Sequence, residues 1–374
     1  MKICENCVQP DTRPQIHFEN NVCGACLWEE EKKNIDWEKR KNELNEIVIW
    51  AKTTTKSNYD CVIGVSGGKD STKQAIIAKE HLGLRCLLVN CEPEGITDLG
   101  KYNIENLKNQ GFDILSIRPN PKVMKKLIKR DFYKYLNPIK ITEYALWSSS
   151  YVVAEKFEIP LIIQGENPGL TLGISNSGLG KDENALKADQ TPTLSSGWKE
   201  YLDVDGIKEN DLYLFHYDRI KLEKMNTRAI WLQYFLKDWS SKENAEFSKK
   251  FGFRERSKDF KPEDTGSYVG YVGLDSDLQQ VNQMLKCIKF GFGQCVDQAC
   301  YDIRDNRISR NEAIKLVKKY DGKCAERYIQ KLCEYIEIDI EEFWSVANSF
   351  RGKMWVKDDA GDWKNEFISL LEQN

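Results

Sequence analysis

The chain of 374 residues carries 55 Lys and Arg against 58 Asp and Glu, a formal charge of −3, with 41% hydrophobic residues. That length accommodates two or three compact units and a large core, and the near balance of charge excludes a protein dedicated to long nucleic acid. No apolar run approaches the roughly 18 residues of a membrane span and Met1-Lys2-Ile3-Cys4 opens no signal core, so the twelve cysteines are expected to be metal ligands and buried thiols of a cytoplasmic protein rather than a disulfide frame.

Cys4-x-x-Cys7 and Cys23-x-x-Cys26 come first in the chain. Each pair fits a tight turn with both sulfurs facing one point, and two such turns supply four thiolates for a tetrahedral zinc ion. Pro10, Asp11, Pro14 and Asn20 between them are loop formers, which leaves metal binding as the source of folding energy for a knuckle over residues 1–34. Four protein ligands leave no position open for chemistry, so the zinc is expected to be structural, with His17 a solvated bystander. Residues 35–52 predict an amphipathic helix with Trp37, Leu44, Ile47, Val48 and Ala51 near one face, tying the knuckle to the main body.

Residues 35–260 predict an α/β nucleotide domain. Strand-like apolar runs at 60–65, 85–90, 113–117 and 160–164 alternate with helical spacing at 71–82, 98–110, 121–135 and 142–157. Such alternation implies a mostly parallel sheet covered by helices on both faces, with ligands beyond the carboxyl ends of the strands. The first strand runs into Ser66-Gly67-Gly68-Lys69-Asp70-Ser71 and a helix start. Gly67 and Gly68 let the backbone approach a ligand, the open amides form an anion nest, and Ser66, Ser71 and Lys69 add donors. The Walker A spacing fails, because Asp70 stands where a metal-binding hydroxyl belongs, and the dinucleotide pattern fails as well. The six residues are similar to the PP-loop of the N-type ATP pyrophosphatases, a HUP-like α/β fold whose members cleave ATP between the α- and β-phosphates. That resemblance implies ATP held by Ser66, Gly67, Gly68, Lys69, Asp70 and Ser71, with magnesium, and catalytic roles for Lys69, Asp70 and Ser71.

Two further strand ends are candidates. Asn90, in Asn90-Cys91-Glu92, is expected at the adenosine; Gly165 permits close backbone approach, while Glu166 and Asn167 offer acceptors for ribose, substrate or magnesium. Residues 169–189, rich in Gly, Ser, Asn and Thr, predict a mobile loop that closes over reactants. Residues 261–374 predict a helical end for substrate or partner, with helices at 277–290, 309–320, 324–335, 340–350 and 362–371. Ser309 and Glu312 form a capping box, Lys289-Phe290-Gly291-Phe292-Gly293 is expected to wall a ligand, and Arg304 and Arg307 suit a carboxylate or phosphate. Lys289 and Arg304 are therefore candidate substrate contacts.

The four-cysteine knuckle, residues 66–71, Gly165-Glu166-Asn167-Pro168, Lys289-Phe290-Gly291-Phe292-Gly293 and Ile308-Ser309-Arg310-Asn311-Glu312-Ala313-Ile314 together resemble the N-acetyl sugar amidotransferase family, WbpG- and PseA-like enzymes of bacterial surface-sugar synthesis. The resemblance runs from Cys4 to about Gly322. It implies that an acetamido group on a sugar becomes an acetamidino group, through an O-adenylated imidate, with ATP and ammonia. No Gly-x-Cys-x-Gly elbow is present, and His17, His81 and His216 have no cysteine partner. The expected ammonia source is therefore a separate glutaminase, acting with a cyclase-like partner. The rival expectation is a PP-loop tRNA thiolation enzyme, which needs reactive cysteines, here Cys86 or Cys91, beside the nucleotide.

Overall fold

A computed structural model describes residues 1–174, 181–188, 191 and 193–373. Its centre is a five-stranded parallel sheet of β1 (Cys61–Gly64), β2 (Cys86–Cys91), β3 (Asp113–Ile117), β4 (Leu161–Gln164) and β5 (Arg228–Trp231), in the order β3-β2-β1-β4-β5. The chain builds outward from β1 through β2 to β3, then crosses back to β4 and β5 on the other side. Two crossovers diverge between β1 and β4, and the crevice left there at the carboxyl end is the natural ligand position of such a sheet.

Alternation along β1 explains the two layers. Ile63 faces the core made with Leu44, Ile47, Val48 and Ala51 of helix α1 (Trp37–Thr54) and with Ala75 and Ile76 of α2 (Lys69–Ile76). Val62 faces Tyr151, Val153 and Ala154 on the opposite side. The remaining sheet helices are α3 (Asp98–Asn109), α4 (Pro121–Tyr135) and α5 (Lys140–Phe157). Helix α1 therefore belongs to the sheet core, while the knuckle is held elsewhere.

Beyond β5 come α6 (Ser241–Lys249), α7 (Asp277–Phe290), α8 (Gln294–Arg304), α9 (Arg310–Tyr320), α10 (Glu326–Ile336) and α11 (Ile340–Ser349). The short antiparallel pair β6 (Trp355–Lys357) and β7 (Trp363–Asn365) then leads to α12 (Glu366–Gln373). The capping box at α9 is formed: Ser309 Oγ accepts from the Glu312 amide at 3.3 Å and Glu312 accepts from the Ser309 amide at 2.8 Å. The four cysteines share one core with Phe292, Val296, Ala299, Val317 and Phe367, so the knuckle belongs to the core that α8, α9 and α12 build. Among the described residues, no helix is long and apolar enough to cross a membrane.

The loop expected over 169–189 falls partly outside the described residues, at 175–180 and 189. Of the rest, Pro168–Thr171 is a short helix, and Ala185 is fully buried with its amide donating to the Ala229 carbonyl, padding the edge of β5.

Candidate active site

The turn after β1 is shaped by one glycine. Gly67 has φ +79°, and a Cβ there would lie 3.0 Å from the Gly100 carbonyl oxygen, so the bend packs on α3 only because that atom is missing. Gly68 caps α2 with extended backbone and no side-chain acceptor, which leaves the first amides of α2 open for an anion. The Ser71 and Thr72 hydroxyls both donate back to the Gly68 carbonyl, at 3.1 and 2.9 Å. Ser66, Gly68, Lys69 and Asp70 line a cleft of about 470 Å³, and Lys69 Nζ sits 2.5 Å from Asp70 Oδ2.

The opposite bank is the end of β4. A Cβ on Gly165 would meet Gln74 Oε1 at 3.0 Å, so the Gln74 side chain of α2 packs directly on the strand end. Glu166 reaches the cleft and accepts from Trp239 Nε1 at 3.4 Å. Burial and the like charge of Asp70 push its carboxyl up to about 7, against the pull of Lys69 and the Trp239 hydrogen bond. Lys69, Asp70 and Glu166 thus form one electrostatic group at the crevice between β1 and β4.

Asn90 and Asn167 have other work. Asn90 is buried and donates to the Val65 carbonyl at 2.9 Å, pinning the bend rather than facing the cleft. Asn167 is fully buried; its Oδ1 caps Pro168–Thr171 through the Gly169 amide at 2.8 Å, and its own amide donates to Gln233. Backbone groups claimed both side chains, a distant carbonyl for Asn90 and the local turn for Asn167.

The third wall comes from the C-terminal half. Residues 271–276, with Gln279 and Gln283 of α7 and Gln294, Asp297, Gln298 and Tyr301 of α8, close the cleft. Residues 274–277 are stitched to the loop after β2: the Thr97 hydroxyl donates to Leu274, its amide donates to Asp275, and the Ser276 hydroxyl donates to Glu94. Helix α6 braces the cradle. Its Asn244 donates to Asp70 Oδ1 at 2.7 Å and accepts from Lys73 Nζ at 2.9 Å, and Ser248 donates to the Lys69 carbonyl at 2.7 Å.

Residues 243–369, which include Asn244, Ser248 and all of α7 and α8, match the family model described as "LPS biosynthesis protein WbpG-like, C-terminal domain". This stretch is similar to a WbpG-like C-terminal domain. Among solved structures it is similar to NMN synthetase from Francisella tularensis, at 14% identity and a TM-score of 0.29, over 61% of this chain and 100% of that one. No curated protein matched.

Within the WbpG-like domain neither expected substrate contact lines the main cleft, although Arg304 lines a small pocket beside it that shares Glu166, Ser241 and Tyr301. Lys289 donates to the Tyr135 carbonyl at 2.8 Å, and burial lowers its pKa to about 8. Arg304 lies beside the cysteine cluster and donates to the Thr171 carbonyl at 3.4 Å; burial lowers its pKa, but Cys7, Cys300, Cys26 and Cys23 more than reverse this. Arg307 pairs with Glu243 and Asp305. The Phe290–Gly293 interruption is a packing turn: Gly291 ends α7 at φ +80°, where a Cβ would strike Met354 at 2.8 Å, and Phe292 is fully buried. The domain's contribution to the cleft comes instead from the glutamine-rich faces of α7 and α8. The apolar spacing of Cys295, Val296, Ala299, Cys300 and Ile303 was the available sequence signal for α8.

The sulfurs of Cys4, Cys7, Cys23 and Cys26 are all buried and lie within 4.8 Å of one another. Cys7 and Cys23 are 3.7 Å apart, close to the separation of two ligands at about 2.3 Å from a tetrahedral zinc. The Cys23 amide donates to Cys4 Sγ at 3.3 Å, the kind of outer hydrogen bond that orients a thiolate ligand. The donor set fits a structural zinc. His17 stays outside, 45% exposed and 3.9 Å from Glu19.

Proposed function

We propose that this chain is an ATP-dependent amidotransferase, forming AMP and pyrophosphate, that converts the acetamido group of a bacterial surface sugar into an acetamidino group. The acceptor class is a nonulosonic acid or a diacetamido uronic acid. The observation that carries the reading is the placement of the uncapped start of α2, Lys69 and Asp70 opposite Glu166, at the switch point of a parallel sheet.

An acetamide oxygen is a poor leaving group, and adenylation makes it a good one. In the proposed reaction the amide oxygen attacks the α-phosphorus and pyrophosphate leaves. Ammonia then adds at the imidate carbon, and AMP departs with that oxygen. The open amides of α2, the Ser66 hydroxyl and Lys69 stabilise charge on the phosphates. Ser71, whose hydroxyl is turned onto Gly68, fixes the bend. Asp70 and Glu166 are the pair that would hold magnesium, which when bound neutralises phosphate charge. No covalent enzyme intermediate is required, so positioning supplies much of the rate.

Ammonia reaches this chain, in the same reading, from a partner glutaminase working with a cyclase-like protein. Sulfur transfer is disfavoured by specific observations. Cys91 is buried with its thiol pushed up to about 12 by burial and by Glu92, and Cys61 and Cys86 face each other at 3.5 Å in the sheet core. The test is mass spectrometry after incubation with ATP, magnesium, ammonium and a panel of N-acetylated sugars, alongside pyrophosphate release. An amidine product lighter than its parent by about one mass unit, lost in Lys69→Met, supports the proposal; no pyrophosphate release with any acceptor sinks it.

A further inference from the structure

The cleft holds a second group of polar side chains that the adenylation chemistry leaves unused. Helix α5 passes the end of β1, with the Leu146 carbonyl 3.8 Å from where a Gly64 Cβ would stand, and Glu143 projects into the cleft about one turn beyond. Across from it runs the face of α7 that carries Gln279, Gln283 and Lys286, spaced as neighbours along one helix side. Gln283 Oε1 is buried at this wall and has no hydrogen-bond partner among the described residues. A buried acceptor left unmade is costly, so it marks a place where a ligand donates.

Two separate sets of charges share the cleft. Lys69, Asp70 and Glu166 act on one another. Glu143 is raised to about 7 by burial, against a hydrogen bond from Thr193 and the charges of Lys140, Lys289 and Lys286. The last two lysines already have partners, Lys286 at Asp297 Oδ2 (2.5 Å) and Lys289 at the Tyr135 carbonyl. They therefore favour the ionised carboxylate without themselves entering the cleft lining.

We propose that Glu143 and Gln283 form the nucleophile subsite of this cleft: Gln283 Oε1 accepts an N–H of ammonia, and the Glu143 carboxylate takes the proton shed as that nitrogen bonds to carbon. The proposal rests on the amidotransferase reading above. Its chemical need is definite. Ammonia adding to the imidate carbon carries a positive charge on nitrogen, and in that state it leaves again more easily than AMP. Transfer of one N–H proton to Glu143 removes this return path. The new C–N bond stays, the C–O bond breaks with its electron pair going to AMP, and the amidine remains. Two N–H groups of ammonia meet two acceptor oxygens, Gln283 Oε1 and the Glu143 carboxylate, and its lone pair remains for the carbon.

The test separates the two halves of the reaction, using the full chain with ATP, magnesium, ammonium chloride and whichever N-acetylated uronic or nonulosonic acid supports exchange of labelled pyrophosphate into ATP. Glu143→Gln is expected to keep that exchange within about threefold of the parent. It is expected to lower amidine formation by roughly 10²-fold or more, the usual contribution of a positioned base, with AMP produced in excess of amidine as water takes the imidate. Gln283→Leu should raise the KM for ammonium about tenfold with exchange unchanged, and Glu143→Asp should recover part of the amidine yield. Amidine formed one-for-one with AMP at parental rate in both Glu143→Gln and Gln283→Leu overturns the proposal. So does loss of exchange in step with amidine, which places these residues in adenylation. If the parent chain itself shows no exchange with any of these sugars, the amidotransferase reading fails and takes the subsite with it.

Discussion

Asn244 of the WbpG-like domain donates to Asp70 of the phosphate bend at 2.7 Å, and its other amide atom accepts from Lys73. One fully buried side chain thus bridges an acid and a base on α2 and fixes where Asp70 points. Removing it leaves Lys73, whose pKa burial already lowers, with the Asp238 carbonyl and the faces of Trp239 and Phe247. Asn244→Ala is expected to cost about 1–3 kcal/mol of stability, read as a lower melting temperature, and to reduce ATP turnover at least about tenfold. An unchanged KM for ATP in that variant would show that Asp70 needs no brace.

The knuckle meets the Glu166 loop through two glycines. A Cβ on Gly173, which has φ +68°, would sit 2.5 Å from the Ala25 amide nitrogen, and one on Gly24 would sit 3.0 Å from Gly173 Cα. Gly173→Ala should therefore keep zinc, measured by elemental analysis, while lowering both the melting temperature and activity. Cys26→Ser should lose the metal as well. A Gly173→Ala protein as stable as its parent would mean that the knuckle and the loop are not in firm contact.

Stability should depend on pH in a defined direction. Glu143 and Glu166 have carboxyls near 7 in the folded chain against 4.5 ordinarily. Between those values the folded state keeps protons that the unfolded state has released, so stability falls as pH rises through the window and levels off above it. Denaturant midpoints measured across this range should decline, and the decline should be shallower in Glu166→Gln. A midpoint that climbs from pH 4.5 to 7 contradicts the environment described for both groups.

Cys91→Ser is expected to retain adenylation and product formation within about twofold, because the thiol lies in the core under α4 and is held protonated. Loss of activity with retained folding would reopen sulfur chemistry.

The bend after β1 was legible because its signal is local: glycines, a lysine and hydroxyls in six consecutive positions directly after a β-branched strand. The strands β1 to β4 were legible for the same reason. β5 was missed, since Arg228-Ala229-Ile230-Trp231 opens on a cation and an alanine and lacks the consecutive β-branched and aliphatic residues that mark β1 and β4. α6 was hidden by its composition, Ser241-Lys242-Glu243-Asn244-Ala245-Glu246-Phe247-Ser248-Lys249, which looks like solvated surface. Its buried polar residues make sense only with α2 beside them. Lys289 and Arg304 drew attention as cations, yet long-range packing turned one onto the Tyr135 carbonyl and the other onto the Thr171 carbonyl. The cleft's working wall is built from glutamines, whose chemistry is too general to be noticed before the helices are assembled.

The cysteines near the start of the chain lie in one core with Val317 of α9 and with Phe367 and Leu371 of α12. The cysteine knuckle and the helices that complete its core are far apart in the chain, so during synthesis the cluster stays uncovered until α9 and α12 have been made. Chaperone engagement, metal scavenging and proteolysis all have that interval in which to act on the nascent polypeptide.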